Sequence, residues 1–167
     1  IKELKKDLTR QQLKYFDSGL MPEEMRNRMI KEKKTTVYAF VRDPKLYPLA
    51  KYLDYADLAL TRNKKKLKIL TKGLSSEDSV IRYWSVVGLL LLEKEAKPAI
   101  SALKKALDDS DEIPALAAWA IYKAGDKAFA EKWMLETITN NPGNKMLANV
   151  LDWMDEGSFS ILAKIPS

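Results

Sequence analysis

The side chains of this chain best placed for chemistry are cations. Arg62, Lys64, Lys65, Lys66 and Lys68 follow one another closely, with Lys72 one helical turn further on. A run of this kind can neutralise phosphate or sulfate groups. The same spacing also describes a solvated helix start with lysines on its outer face. No aromatic residue interrupts the run to serve as a stacking platform. The acids gather in two other places, Glu77-Asp78 and Asp108-Asp109-Ser110-Asp111-Glu112. Such spacing could bind calcium, but the glycine that turns an EF-hand loop is missing. Asp78, Asp108 and Asp111 are therefore read as caps for the helices that follow. The chain has no histidine and no cysteine. That removes imidazole acid–base catalysis, thiolate nucleophiles, disulfides and cysteine–histidine metal sites. No glycine-rich phosphate loop and no Gly-x-Ser-x-Gly elbow occurs. The expectation is a chain without catalytic residues, cofactor or metal of its own.

Tyr83-Trp84, Trp119, Trp133 and Trp153 could stack on bases or sugars. Each lies among apolar residues at helical spacing, so the better reading is that they fill seams between packed helices. Arg82 opens a helix just after an acidic loop. It is expected to bridge to Asp78 or to a carboxylate of a neighbouring unit. Arg82, Trp84 and Trp119 are thus candidates for packing rather than for chemistry.

The elements that position these residues repeat. Leu67, Leu70 and Leu74 recur as Ile100, Leu103 and Leu107, a shift of 33 residues. After a polar loop, Ile81 recurs as Ile113, a shift of 32. Two helices per unit at this period predict an all-α fold of HEAT-like helical repeats, an α-solenoid. The units run over residues 64–94 and 96–125. A third, degenerate pair is expected over 128–140 and 145–154, with Met146, Val150, Trp153 and Met154 on its inner face. Ahead of the repeats, residues 1–15 have the spacing of an amphipathic helix. It should stop before Asp17-Ser18-Gly19, where Gly19 can supply the positive φ of a cap or turn. Pro22-Glu23-Glu24 reads as a helix start. Residues 37–41 fit a short strand or a helical turn equally well. Pro48 opens a further helix. The expected organisation is an irregular lead-in over 1–48, repeats over 49–157 and a surface tail over 158–167.

Several of these stretches together resemble a known family. Asp17-Ser18-Gly19-Leu20-Met21-Pro22-Glu23 resembles a segment that follows the catalytic domain of many bacterial sulfatases of the arylsulfatase and heparan N-sulfatase type. Arg42-Asp43-Pro44-Lys45-Leu46-Tyr47-Pro48-Leu49 and Ala56-Asp57-Leu58-Ala59 look like the linker of the same family. Ile81-Arg82-Tyr83-Trp84-Ser85 with Gly88-Leu89 looks like its Val-Arg-Tyr-Trp-Ala…Gly-Leu motif. The order and spacing match from about residue 1 to residue 125. Departures are the loop at 31–34, Pro114 where a second arginine would stand, and the stretch after Gly125. The resemblance implies a C-terminal accessory domain, not the active centre. The family's Cys/Ser-x-Pro-x-Arg motif, which becomes formylglycine, is missing, and so are its calcium-binding aspartates and its histidines. Formylglycine and calcium would belong to the parent enzyme.

The function this implies is a non-catalytic scaffold that packs on a sulfatase catalytic domain of the same polypeptide. Asp17, Gly19, Pro22, Glu23, Tyr47 and Pro48 are then candidates for the domain interface. Arg62, Lys64, Lys65, Lys66 and Lys68 are candidates for contacts to the sulfates of a glycan substrate, as point charges. The resemblance further implies a periplasmic or extracellular location. The opening at Ile1 leads to the expectation of a processed chain or a fragment, with self-association through whatever apolar patch was uncovered. The formal charge of +6, from 29 basic and 23 acidic residues, is compatible with anionic partners without requiring them. No apolar stretch approaches the length that spans a bilayer, so no membrane role is expected. Two other classes compete. A helical-repeat DNA glycosylase or nucleic-acid binder would use Trp119 or Trp153 with Asp152. The second helices of the repeats are almost uncharged, so nucleic acid is not expected as the partner. A free-standing protein-interaction scaffold would share the same physics.

Overall fold

The computed structural model describes residues 2–110 and 112–154. Among them the fold is all-α, helices joined by turns, with no strand. The expected caps at Asp111 and tail at 158–167 lie outside the described residues. The chain divides into two compact units, which meet between Leu58 and Ala59. The sequence placed that boundary at 48/49, at the start of the helix that Pro48 opens. That helix forms over Leu49–Leu60 as expected, but it runs across the division.

The first unit holds α1 (Lys2–Tyr15), α2 (Glu23–Glu32), α3 (Val37–Arg42) and most of α4 (Leu49–Leu60). α1 ends on Phe16, whose φ of 55° is left-handed, and the Asp17 amide reaches back to the Gln12 carbonyl at 2.9 Å. The sequence assigned that conformation to Gly19. Gly19 does not adopt it, because the turn has already reversed at Phe16 and the Gly19 amide donates to Asp17 Oδ1 at 2.8 Å in a side-chain-closed turn. α2 starts after Pro22, with Glu23 and Glu24 in its first turn, and it buries Met25 completely. The undecided stretch at 37–41 is helical. Thr36 decides it: its Oγ1 accepts from the Ala39 amide at 3.2 Å, an N-cap that a strand could not use. α3 then buries Phe40 and Val41.

The second unit holds α5 (Leu67–Gly73), α6 (Ser79–Leu92), α7 (Ile100–Lys105), α8 (Ile113–Ala124), α9 (Lys127–Asn140) and α10 (Lys145–Trp153). Three short 3-10 segments punctuate it, at Lys64–Lys66, Glu93–Ala99 and Ala106–Asp108. α8 lies at its centre and packs on α6, α7, α9 and α10, while α5 packs on α6. The repeated positions Leu70 and Leu103 are both fully buried, and Ile81 and Ile113 are buried too. α8 needs small residues to take neighbours on all sides, and Ala115, Ala117, Ala118, Ala120 and Ala124 are buried. Gly125 ends it at φ 114°, a left-handed cap where glycine carries no side-chain penalty.

Asp78 caps α6 as expected, Oδ1 accepting from the Val80 amide at 3.1 Å. Asp108 does not cap α8. It ends the 3-10 segment Ala106–Asp108, and α8 begins instead from Glu112 and Pro114 without a side-chain cap. Of the inner face expected for the last helix, Val150 and Met154 are buried, but Leu147 and Leu151 complete it in place of Met146 and Trp153. Trp153 is half exposed and Met146 is only partly covered, because the helical stripe is turned one position from the one assumed.

Candidate functional site

The most fully built polar cluster centres on Arg82, in the first turn of α6. Its Nε donates to Asp109 Oδ2 at 2.6 Å and its Nη2 to Asp109 Oδ1 at 3.0 Å. Nη1 donates to the Ser76 carbonyl at 2.8 Å and the Glu77 carbonyl at 3.0 Å. The planar fork of arginine fits this bidentate carboxylate geometry, and a lysine could not replace it. Both side chains are largely buried. Of the two partners expected for Arg82, the carboxylate of the neighbouring repeat is the one it takes, not Asp78. Burial alone would push the Asp109 carboxyl up. Hydrogen bonds from Arg82 and Ser110, with the Arg82 charge, overcome this and hold it below its ordinary value.

The sequence expected a carboxylate for Arg82 without naming it; Asp109 stands in the acidic loop at 108–112 that it singled out. Pro114 stands 32 residues after Arg82, where the shift of Ile81 to Ile113 would place a second arginine.

Beside this cluster lies an open groove of about 980 Å³, flanked by α5 and α7. Of the five cations singled out in the basic run, Lys68 lines it, together with Lys72 and Lys105. Arg62, Lys64, Lys65 and Lys66 do not line it. Arg62 takes a left-handed φ of 51° after α4. Asn63 then caps the 3-10 turn, Oδ1 accepting from the Lys65 amide at 3.0 Å. Lys64 Nζ lies 4.0 Å from Glu95 Oε2, with both side chains mostly exposed. The basic run is therefore split by its own turn rather than presented as one patch.

In the first unit, two of the stretches with family-like sequence meet. The Tyr47 hydroxyl donates to the Asp17 carbonyl at 2.8 Å across 30 residues of sequence. Gln12 Nε2 donates to Asp17 Oδ2 at 2.9 Å. The Tyr47 ring is buried against Phe40 and Tyr52, with centroids 5.6 and 5.3 Å away. Burial, then the nearby Asp17 charge, pushes its hydroxyl up to about 12. Tyr47 is thus spent inside its unit, whereas Gly19 and Glu23 are exposed and Pro22 and Pro48 are partly so. An apolar recess of about 420 Å³ opens here, lined by Leu13, Phe16, Val41 and Pro48 among others. On α1, Leu4, Leu8 and Tyr15 stand 73%, 59% and 68% exposed.

Trp84, Trp119 and Trp133 are partly covered, and Trp153 is half exposed. Trp84 meets Tyr83 edge-on at 5.6 Å, and Trp119 lies 6.3 Å from Trp153. Trp119 Nε1 is buried without an acceptor among the described residues. Asp152 is exposed. Among the described residues no three acidic side chains come together to hold a metal ion. No helix among them is long and apolar enough to cross a membrane. No protein-family model, no curated protein and no solved structure matches the chain.

Proposed function

We propose that this chain is a non-catalytic scaffold domain whose second unit is a HEAT-like stack, and that it is the accessory domain of a sulfatase acting on sulfated glycans. The stack is supported by the 33- and 32-residue shifts, of whose equivalent positions Leu70 and Leu103 are both buried, as are Ile81 and Ile113. The accessory role is supported above all by the Tyr47–Asp17 hydrogen bond. It joins the two stretches of sulfatase-like sequence into one internal tie, so they act as a single structural device. The exposed leucines of α1 fit a domain that ordinarily has a neighbour. The partner would be the catalytic domain in the same polypeptide, which would carry the formylglycine and calcium, outside the cytoplasm. Arg62, Lys64, Lys65, Lys66 and Lys68 remain candidates for sulfate contacts.

The deciding experiment is to isolate the native protein from its host with an antibody to this chain and to sequence what precedes Ile1. A polypeptide several times larger, carrying a Cys/Ser-x-Pro-x-Arg motif, supports the accessory role. A native chain that starts near Ile1 overturns it and leaves a free-standing interaction scaffold. For the glycan part, charge reversal at residues 64–66 should weaken binding of sulfated oligosaccharides; unchanged affinity removes that part alone.

A further inference from the structure

The groove flanked by α5 and α7 is lined by lysines, apolar side chains and hydroxyls. Lys68 and Lys72 stand one turn apart on α5, and Lys105 ends α7. All three are exposed, and none has an ion-pair partner among the described residues. The apolar part of the lining includes Leu74, Pro98 and Ala102, with the hydroxyls of Thr71 and Ser101 beside them. Four cations line the groove against two carboxylates, Asp108 and Asp109. Asp109 is already neutralised by Arg82, whose fork is committed to it and to two backbone carbonyls. The free positive charge therefore lies on the three lysines.

We propose that this groove is a docking site for an acidic, amphipathic peptide segment. Its apolar side chains would cover the apolar part of the lining, and its carboxylates would reach Lys68, Lys72 and Lys105. Charge complementarity sets the sign of the partner. The apolar lining sets its class. A sulfated glycan offers apolar C–H groups only on its ring faces, which call for an aromatic platform, and a nucleic acid strand calls for aromatic stacking; among the described residues no aromatic side chain lines the groove. Lysine ammonium groups on flexible stems suit carboxylates that are not held in a fixed plane. The site does not depend on the sulfatase reading, because it uses only the second unit's own geometry.

The test is selection from a random peptide library on the full 167-residue chain. The expected result is a consensus of acidic residues interspersed with leucine-like ones. Binding of the selected peptides, followed by fluorescence polarisation, should weaken at least about tenfold in K68E/K72E/K105E and should fall with added salt. The K64E/K65E control should bind as the parent does. The substituted lysines are exposed, and an unchanged circular-dichroism melt checks that the groove variant folds. The proposal is overturned by a selection without consensus, by a consensus lacking acids, or by peptides indifferent to the groove substitutions. It is equally overturned if a heparin-type oligosaccharide binds with the same dependence on Lys68, Lys72 and Lys105 while acidic peptides do not.

Discussion

At the scale of single residues, two buried polar contacts carry the sharpest expectations. Arg82 and Asp109 are mostly out of water and fully paired, so removing either leaves the other charge stranded. R82A should cost about 2 kcal/mol in urea unfolding, less than for a wholly buried pair because solvent still reaches the edge. The pH dependence follows from the depressed Asp109 carboxyl. Its contribution is complete above the ordinary value of 3.8 and is lost as pH falls through the lower folded value. D109N should therefore be less stable than the parent at neutral pH, with the gap closing in acid. A gap that stays constant would mean the carboxylate charge is not what stabilises the clamp. Tyr47 behaves in the opposite sense. Its hydroxyl is raised from 10.0 to about 12, so stability is complete below 10.0 and is lost as pH climbs through that window. Y47F should cost about 1 kcal/mol at neutral pH through the lost bond to the Asp17 carbonyl. It should also flatten the alkaline loss, which unfolding curves on either side of pH 10.0 would register. Neither partner was identified from sequence: Asp109 lies 27 residues from Arg82 and Asp17 lies 30 from Tyr47.

At the scale of elements, Gly88 sets how closely α6 approaches its neighbours. A Cβ built there would lie 2.6 Å from Leu70 Cδ2 and 3.2 Å from the Ala59 Cα. The leucine can give way only partly, because Leu70 is itself fully buried, and the Ala59 backbone cannot. G88A gains helix propensity of about 1 kcal/mol but overpacks the seam, by roughly 1–3 kcal/mol. Net destabilisation is expected in thermal unfolding, and a stabilised variant would show that the seam is slack. Helix existence was largely legible, since apolar spacing and caps such as Asp78 act locally. The nature of residues 37–41 turned on one side chain, Thr36, whose capping oxygen lies just before a run too short to show a period. The inner face of α10 was misread for a related reason. In a short helix two adjacent stripes are almost equally apolar, and only the neighbours choose between them.

At the scale of the whole molecule, the exposed leucines of α1 are the open account. Leu4 and Leu8 stand one helical turn apart, and both are mostly in water. If that stripe drives self-association of the isolated chain, L4E/L8E should raise the dissociation constant of the self-associated form at least about tenfold in sedimentation velocity. A parent chain that stays monomeric at all concentrations would count against it. The charge of +6 adds a second expectation: association through an apolar stripe should strengthen with salt, as repulsion is screened.

Length, composition and periodicity by themselves determined that the described chain is helical, with matching apolar spacings 33 and 32 residues apart in its second part. These properties are local or repeat at short range, so the spacing of leucine, isoleucine and alanine encodes them directly. The sequence also marked Arg82, Lys68 and the Asp17 turn as residues of interest. Only the tertiary structure decided what they meet. It committed Arg82 to Asp109, turned Tyr47 inward, and split the basic run so that Lys68 joined Lys72 and Lys105 around a groove. Pairings between distant residues depend on how helices cross, and crossing is fixed by the packing of whole faces rather than by any one stretch of sequence.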